Sequence, residues 1–142
     1  MAKTVRDIMT PEVTTLGRNE SLQFVKDIMA LGRVRHFPVV DEGKVVGIVS
    51  QRDLYKASLG SVMKYGEKAQ RAFMEGIAIK EVMNEPVITV APHISVQEAA
   101  RIMIEKKIGC LPVLEGPKLI GIVTETDMLK LVAEMEPTKE DK

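Results

Sequence analysis

Two pairs of side chains, each a hydroxyl and an aspartate three residues apart, have the clearest chemical potential in this sequence. They are Ser50 with Asp53 and Thr124 with Asp127. Ser and Thr are favoured caps of helix N-termini, and an acidic residue in the first turn suits the helix dipole. The N–H groups at a helix start also attract anions, and a carboxylate one turn later can accept both hydroxyls of a ribose. The pairs therefore fit helix capping, binding of a phosphorylated ribose, or both together.

Both pairs lie within a stretch of sequence that occurs twice. Residues 5–57 align without a gap with residues 79–131, so that Asp53 meets Asp127. The identities fall together at turns, helix caps and apolar positions, which is the pattern of an internal repeat. The predicted divisions of the chain are a first domain at 1–57, a connector at 58–78 that is expected to be helical, a second domain at 79–133 and a charged tail at 134–142.

Each copy has the same predicted order of secondary structure. A short extended piece precedes a helix, which starts at Ser21 in the first copy and at Ser95 in the second, where Glu98 predicts a capping box. Two strands follow around a turn, at Asp41–Lys44 and at Glu115–Lys118. A final helix begins after each hydroxyl residue. The predicted fold class is therefore α/β (α+β), with two β-α-β-β-α units.

The small size of each unit predicts how the copies are arranged. A unit of about fifty residues buries little surface, and its sheet leaves an apolar face that needs cover. We therefore expect the two units to pack on each other with pseudo-twofold symmetry, which creates two related clefts. Helix faces rich in Met, Leu and Ile predict a homodimer, because they would otherwise form an exposed apolar patch.

The order of these segments resembles a tandem pair of CBS domains, named for cystathionine β-synthase. The matching stretches are "VRDIMT…RHFPVVDEGKVVGIVSQRDL" and "IKEVMN…GCLPVLEGPKLIGIVTETDM". A looser similarity is to stand-alone bacterial proteins of the acetoin-utilisation type. The resemblance implies a regulatory sensor of an adenosine ligand such as AMP, ADP or ATP, which changes conformation and acts on an unknown partner protein. It leaves open NAD and S-adenosyl compounds as ligands, and it implies a homodimer in the shape of a flat disc.

The resemblance also implies two nucleotide-binding clefts that each mix residues of both copies. The aspartate binds ribose and the hydroxyl faces phosphate, while the Met position, the extended segment and the residues before Pro-Val hold the adenine. Cleft A would contain Ile48, Ser50, Arg52, Asp53, Arg35, His36, Met83, Ile88, Ile108 and Gly109. Cleft B would contain Ile122, Thr124, Asp127, Met9, Thr14, Val34 and Arg35.

Basic side chains make the two clefts unequal. The first copy carries Arg33, Arg35 and His36 before its Pro-Val, and Arg52 inside the Ser-x-x-Asp motif. Arginine suits phosphate because its donors bind in a bidentate fork. The second copy has Lys107, Gly109, Cys110 and Thr126 at those places. We therefore expect cleft A to be the better phosphate site and cleft B to suit a less charged adenosine ligand or to stay empty. Alternatively, the arginines line a solvated strand edge, and His36 is a polar residue whose hydrogen bonds are made within the fold.

Composition argues against several other classes of function. Lys plus Arg and Asp plus Glu number 20 each, so no overall basic field exists to hold nucleic acid. Trp is absent and the other aromatic residues are few, which disfavours base stacking. The N-terminus shows no apolar signal segment, and no apolar run is long enough to span a membrane. We therefore expect a cytoplasmic protein with no membrane or nucleic-acid partner.

Catalysis and metal binding are also not predicted. The sequence shows no nucleophile–base pair, metal motif or Gly-rich phosphate loop, so neither an enzyme nor a catalytic cofactor is expected. Two His and one Cys cannot assemble a metal site from soft ligands. Cys110 is interpreted as a small buried residue, with a thiol switch as the alternative. The alternative to a ligand sensor is a structural dimerisation module with vestigial clefts.

Overall fold

The computed structural model describes residues 3–32 and 34–137, except for the side chains of residues 58–67, 69 and 70. Arg33, which was among the predicted basic residues, and the end of the predicted tail lie outside this range. The elements in chain order are α1 (Val5–Ile8), β1 (Leu16–Gly17), α2 (Leu22–Leu31), β2 (His36–Asp41), β3 (Lys44–Ser50), α3 (Gln51–Glu75), a 3-10 turn (Ile79–Glu81), α4 (Val96–Lys106), β4 (Cys110–Glu115), β5 (Lys118–Thr124) and α5 (Glu125–Glu134).

The chain forms two compact units. The first unit is Thr14–Val87, and the second unit combines Met1–Val13 with Ile88–Lys142. The first unit thus contains residues 14–57 of the first copy and residues 79–87 of the second copy, and the second unit contains residues 88–131 and 5–13. Residues 5–13 and 79–87 are called the opening segments below. The compact unit and the sequence repeat are therefore two different divisions of the chain.

Backbone hydrogen bonds attach each opening segment to its unit. In the first unit, the N–H of Ile79 donates to the carbonyl of Glu20 at 2.8 Å. In the second unit, the N–H of Val5 donates to the carbonyl of Ile94 at 2.9 Å, and the N–H of Val96 donates to the carbonyl of Lys3 at 3.1 Å. Ile79 and Val5 are both fully buried. The opening segments are therefore part of the core of the unit that they join.

The first unit is built on a three-stranded sheet in the order β1-β2-β3, in which β1 is parallel to β2 and β2 is antiparallel to β3. The hairpin turns at Glu42 and Gly43, both with positive φ, as the sequence predicted for this position. Ser21 caps α2 by accepting the N–H of Phe24 at 3.2 Å, and Gly32 ends the helix. The core of this unit consists of Leu16, Leu22, Val25, Phe37, Val39, Val49, Leu54, Met74 and Ile79.

The second unit repeats this plan with a shorter sheet. Strands β4 and β5 form an antiparallel hairpin, and Val90 adds a single parallel bridge to Val113 where the first unit has β1. The hydroxyl of Ser95 accepts the N–H of Glu98 at 3.1 Å, which is half of the predicted capping box. The core consists of Val5, Val90, Ala99, Met103, Leu111, Val113 and Val123. The predicted α+β class with two β-α-β-β-α units is thereby confirmed.

Helix α3 continues from the last helix of the first copy into the connector as one helix of 25 residues. Its start is the Ser50–Asp53 pair, and its end at Gly76 leads directly into the opening segment of the second copy. Leu54 and Met74, near the two ends of the helix, are both buried in the first unit. Both ends of α3 are therefore held in the core of the first unit.

Candidate functional site

The Ser50–Asp53 pair forms a reciprocal cap at the start of α3. The Ser50 hydroxyl accepts the N–H of Asp53 at 3.3 Å, and Oδ2 of Asp53 accepts the N–H of Ser50 at 2.7 Å. The Ser50 hydroxyl also donates to Oδ2 of Asp53 at 2.9 Å. This is a capping box. The capping interpretation of the motif is therefore confirmed, and the carboxylate is held in a fixed orientation at the helix start.

The Thr124–Asp127 pair forms the same cap at the start of α5. Oδ2 of Asp127 accepts the N–H of Thr124 at 2.8 Å and its hydroxyl at 3.1 Å. The Thr124 hydroxyl accepts the N–H of Asp127 at 3.4 Å. Asp127 is only 9% exposed, whereas Asp53 is half-buried. The two carboxylates therefore have the same cap but different access to solvent.

Each aspartate has a further donor that sequence reasoning missed. In the first unit, Nδ2 of Asn84 donates to Oδ2 of Asp53 at 2.9 Å. In the second unit, the Thr10 hydroxyl donates to Oδ1 of Asp127 at 3.2 Å. The two donors occupy equivalent positions of the repeat, since Asn84 follows Met83 and Thr10 follows Met9, the two methionines predicted to line the clefts. Their shared place in the repeat does not by itself indicate these contacts, which depend on how each segment pairs with a strand.

Backbone pairing fixes these donors beside the second strand of each hairpin, β3 in the first unit and β5 in the second. Asn84 and Ile48 exchange both backbone hydrogen bonds, at 2.9 and 3.2 Å. Thr10 and Ile122 do the same, at 2.8 and 3.0 Å. Each opening segment therefore runs as a short extra strand along the strand that leads into the capped helix.

The motif methionines lie against glycines of the same strands. A Cβ atom on Gly47 would lie 2.7 Å from Sδ of Met83, and one on Gly121 would lie 2.6 Å from Sδ of Met9. A Cβ atom at such a distance would force the methionine to shift, so each glycine makes room for the methionine to pack as it does. The structure thus brings the predicted site residue Met83 together with Ile48 and the Ser50–Asp53 cap.

Most of the first N–H groups at the two helix starts are bonded within the fold. In α3 the N–H of Gln51 donates to the carbonyl of Arg35 at 2.9 Å, and the N–H of Asp53 is bound by the Ser50 hydroxyl. In α5 the N–H of Glu125 donates to the carbonyl of Gly109 at 3.1 Å. Two of the first three N–H groups of each helix are therefore already bonded, which favours a carboxylate-centred site over one centred on the helix terminus.

The remaining predicted residues are divided between the two units. In the first unit, Arg35, Arg52, Thr14 and Val34 are exposed and His36 is half-buried in β2. The second unit contains Ile88, Ile108, Gly109, Ile122, Thr124, Asp127 and Met9. Each predicted cleft draws on residues of both units, and that combination stays a prediction.

Charge near the Asp53 cap is available for an anionic ligand. Arg35 and Arg52 take part in none of the ion pairs recorded within residues 3–32 and 34–137. At the equivalent place in the second unit, Thr126 stands in for Arg52 and Lys107 ends α4 with a positive φ. The first unit therefore carries two exposed arginines near its capped aspartate, where the second unit has Gly109 and Thr126; that this makes it the better phosphate site stays a prediction.

Neither a metal site nor a membrane-spanning helix is found in the described part of the chain. Its His, Cys, Asp and Glu side chains include no group of three or more that could hold a metal ion. Among its helices, none combines the length and apolar character needed to cross a membrane. Cys110, the one cysteine of the sequence, is buried.

Comparison with solved structures finds the same architecture in several proteins. A putative acetoin utilization protein (AcuB) from Vibrio cholerae is 36% identical with a TM-score of 0.79, covering 94% of this chain and 93% of that one. The CBS domain pair of protein MJ0100, in complex with 5′-methylthioadenosine and S-adenosyl-L-methionine, is 30% identical with a TM-score of 0.78, covering 94% and 98%. CBSX2 in complex with AMP is 26% identical with a TM-score of 0.75, covering 93% and 97%.

Sequence comparison agrees with the structural comparison. An uncharacterized protein of Methanocaldococcus jannaschii, MJ1404, is 35% identical over 139 residues, which are 93% of this chain and 32% of that protein. The chain thus spans about a third of the length of this relative. The model of the CBS domain matches residues 5–60 and again residues 79–134. Since these two matches cover most of the sequence, this chain belongs to the CBS domain family and carries the domain as a tandem pair.

Proposed function

We propose that this chain is a regulatory module that binds an adenosine-containing ligand and transmits its binding to a partner protein by a change of conformation. The module acts in the cytoplasm and has no catalytic role. Related CBS pairs support the ligand class, because MJ0100 is in complex with two adenosine compounds and CBSX2 with AMP. The ligand of this chain is best tested among AMP, ADP, ATP and S-adenosyl compounds.

The observation that carries the proposal is the Asp53 carboxylate, which is half-buried and held rigidly at the start of α3. Its orientation is fixed by Ser50 and by Asn84. A carboxylate that is held in place before the ligand arrives loses little further freedom on binding, so more of the interaction energy appears as affinity. Ribose hydroxyls are hydrogen-bond donors that can use such an acceptor.

The charged part of the ligand is assigned to the basic residues of the first unit. The Arg35 carbonyl accepts from the first residue of α3, so Arg35 lies next to the helix start, and Arg52 is on the first turn of that helix. Both side chains are exposed. We assign the phosphate to Arg35, His36 and Arg52, because arginine binds phosphate with several charge-assisted hydrogen bonds.

Titration calorimetry of AMP into the wild-type chain and into Asp53→Asn tests the proposal. We expect AMP to bind the wild-type chain. In the variant, the loss of binding free energy should be larger than the loss of the free energy of unfolding. The matched control is Asp127→Asn, which should leave the site at Asp53 unchanged. A chain that binds none of the adenosine compounds would instead be a structural module.

We further propose that the partner which completes the exposed apolar face of α5 is a second copy of the chain. Leu129 and Val132 lie three residues apart on α5 and are 67% and 63% exposed, and Met135, directly after the helix, is 64% exposed. A patch of this kind on a globular protein marks an interaction surface. Light scattering at micromolar concentration should give the mass of a dimer, and Leu129→Asp with Val132→Asp should give monomer. The exposed Glu134→Ala on the same helix is the control, and a wild-type monomer would contradict the proposal.

A further inference from the structure

The two aspartates differ in how many acceptor positions their caps leave open. At Asp53, all three recorded donors reach the same oxygen, Oδ2, and they are the N–H of Ser50, the Ser50 hydroxyl and Nδ2 of Asn84. Within the described part of the chain, no donor to Oδ1 of Asp53 is recorded. A carboxylate oxygen offers about two lone-pair positions, so three donors leave no place on Oδ2 for a further one. The open acceptor of Asp53 is therefore the whole of Oδ1.

At Asp127 the donors are distributed over both oxygens. Oδ2 accepts from the N–H and the hydroxyl of Thr124, at 2.8 and 3.1 Å. Oδ1 accepts from the Thr10 hydroxyl at 3.2 Å. By the same count of about two lone-pair positions per oxygen, one position on Oδ1 remains. Asp127 is also less exposed than Asp53, at 9%.

The side chains of Asn84, after Met83, and Thr10, after Met9, account for the different number of open acceptor positions. Asn84 and Thr10 occupy equivalent positions and make the same pair of backbone hydrogen bonds to their neighbouring strand. The amide of Asn84 reaches the oxygen that the cap already uses, whereas the hydroxyl of Thr10 reaches the other one. The choice of side chain at one position therefore sets how many additional donors the aspartate can accept.

We propose that the residue after Met83 and after Met9 sets the specificity of its site. Asn84 leaves Oδ1 of Asp53 open, so that the Asp53 site recognises an intact ribose diol, whereas Thr10 occupies Oδ1 of Asp127, so that the Asp127 site recognises a single hydroxyl. This inference rests on the proposed function, since it concerns the same two carboxylates. At the Asp53 site, both the 2′ and the 3′ hydroxyl can donate to Oδ1. At the Asp127 site, only one hydroxyl finds an open position, and the other gains no bond to the carboxylate.

The consequence is a different preference for ribose over deoxyribose at the two sites. Removal of the 2′ hydroxyl takes one hydrogen bond to a charged group from the Asp53 site. A bond of that class corresponds to about ten-fold or more in affinity. At the Asp127 site the 3′ hydroxyl can occupy the one open position, so the same removal should change affinity by less than about three-fold.

The experiment compares a ligand with its 2′-deoxy form by titration calorimetry, with one site inactivated at a time: AMP for the Asp53 site, and the uncharged adenosine for the Asp127 site. In an Asp127→Asn background, the Asp53 site should prefer AMP by about ten-fold or more. In an Asp53→Asn background, adenosine and 2′-deoxyadenosine should bind the Asp127 site with nearly equal affinity. Equal preference at the two sites, or no binding at the Asp127 site, would overturn the inference.

Exchange of the two residues tests their role directly. Asn84→Thr should place a hydroxyl donor near Asp53 as Thr10 does near Asp127, and the preference for AMP should fall to within about three-fold. Asn84→Leu removes the amide donor to Oδ2 but leaves Oδ1 open, so the preference should persist. Thr10→Asn should create the preference at the Asp127 site.

The ratio of affinities separates specificity from a merely structural effect. A variant that only loosens the site weakens AMP and 2′-deoxyAMP equally and leaves their ratio unchanged. An unchanged ratio in Asn84→Thr and in Thr10→Asn would overturn the inference while the proposed function stands. Failure of every adenosine compound to bind the wild-type chain would overturn the proposed function and the inference with it.

Discussion

Replacement of Asp53 by Asn separates the capping role of this residue from its proposed role in ligand binding. In the folded chain, Oδ2 of Asp53 accepts the N–H of Ser50 at 2.7 Å, and the side-chain oxygen of Asn can accept the same bond. The Ser50 hydroxyl still accepts the N–H at position 53. What is lost is the charge near the positive end of the helix, which is worth about 0.3–1 kcal/mol. We therefore expect a stability loss within about 1 kcal/mol.

The effect of the same substitution on ligand binding should be larger. If the Asn oxygen keeps the cap, its NH₂ group occupies the place of Oδ1, so an acceptor for the ribose becomes a donor. Hydrogen bonds to charged groups are worth about 1.5–3 kcal/mol. The affinity for AMP should thus fall by about ten- to a hundred-fold.

Two assays on the same protein give the result. Urea unfolding measures the stability of Asp53→Asn, and titration calorimetry measures its affinity for AMP. Asp127→Asn is the matched control, because it alters an equivalent cap in the other unit. If Asp53→Asn destabilises the fold but leaves the affinity for AMP intact at both sites, the residue is a cap only and the ribose assignment is refuted.

Three other changes should have distinct effects. Gly47→Ala places a Cβ 2.7 Å from Sδ of Met83 and 3.1 Å from the carbonyl oxygen of Asn84, so it should lower the free energy of unfolding in urea by about 1–3 kcal/mol; an unchanged unfolding midpoint would contradict the packing argument. Arg35→Gln with Arg52→Gln should weaken AMP and flatten the fall of its affinity with salt, and binding by wild type that is indifferent to salt would exclude the phosphate assignment. The hydrogen bond from the N–H of Thr4 lowers the pKa of Asp7 below its ordinary value, so the carboxylate stabilises the fold at neutral pH and loses this effect progressively in acid, as pH falls through its lowered pKa; Asp7→Asn should therefore destabilise in urea at pH 7, and by less as the pH is lowered into the acid range.

The sequence was sufficient to predict the helices, the strands and the helix caps, because the signals for them are local and occur in both copies of the repeat. Ser21, Ser50, Ser95 and Thr124 all cap helices as predicted, since a hydroxyl before an apolar helical pattern has a direct hydrogen-bonding role. The hairpin turn of the first unit falls at Glu42 and Gly43 for an equally local reason. The β-α-β-β-α order follows from these signals together.

The attachment of the opening segments could not be predicted in the same way. Ile79 joins the first unit and Val5 joins the second, but the contacts that decide this are backbone hydrogen bonds between residues distant in sequence. Asn84 and Thr10 were missed for the same reason. Each reaches its aspartate only because the segment pairs with a strand, and a polar residue after a methionine carries no signal of that contact by itself.

The central claim, that the chain binds an adenosine compound in its folded state, is tested most directly by the melting temperature with and without ligand. A ligand present at about a hundred times its Kd stabilises the native state by about 2.7 kcal/mol. For a chain of this length, that free energy corresponds to a rise on the order of 5–10 °C. We predict such a rise for at least one of AMP, ADP, ATP and S-adenosylmethionine, and its loss in the Asp53→Asn, Asp127→Asn double variant. A melting temperature that stays constant across all four compounds at millimolar concentration would contradict the account.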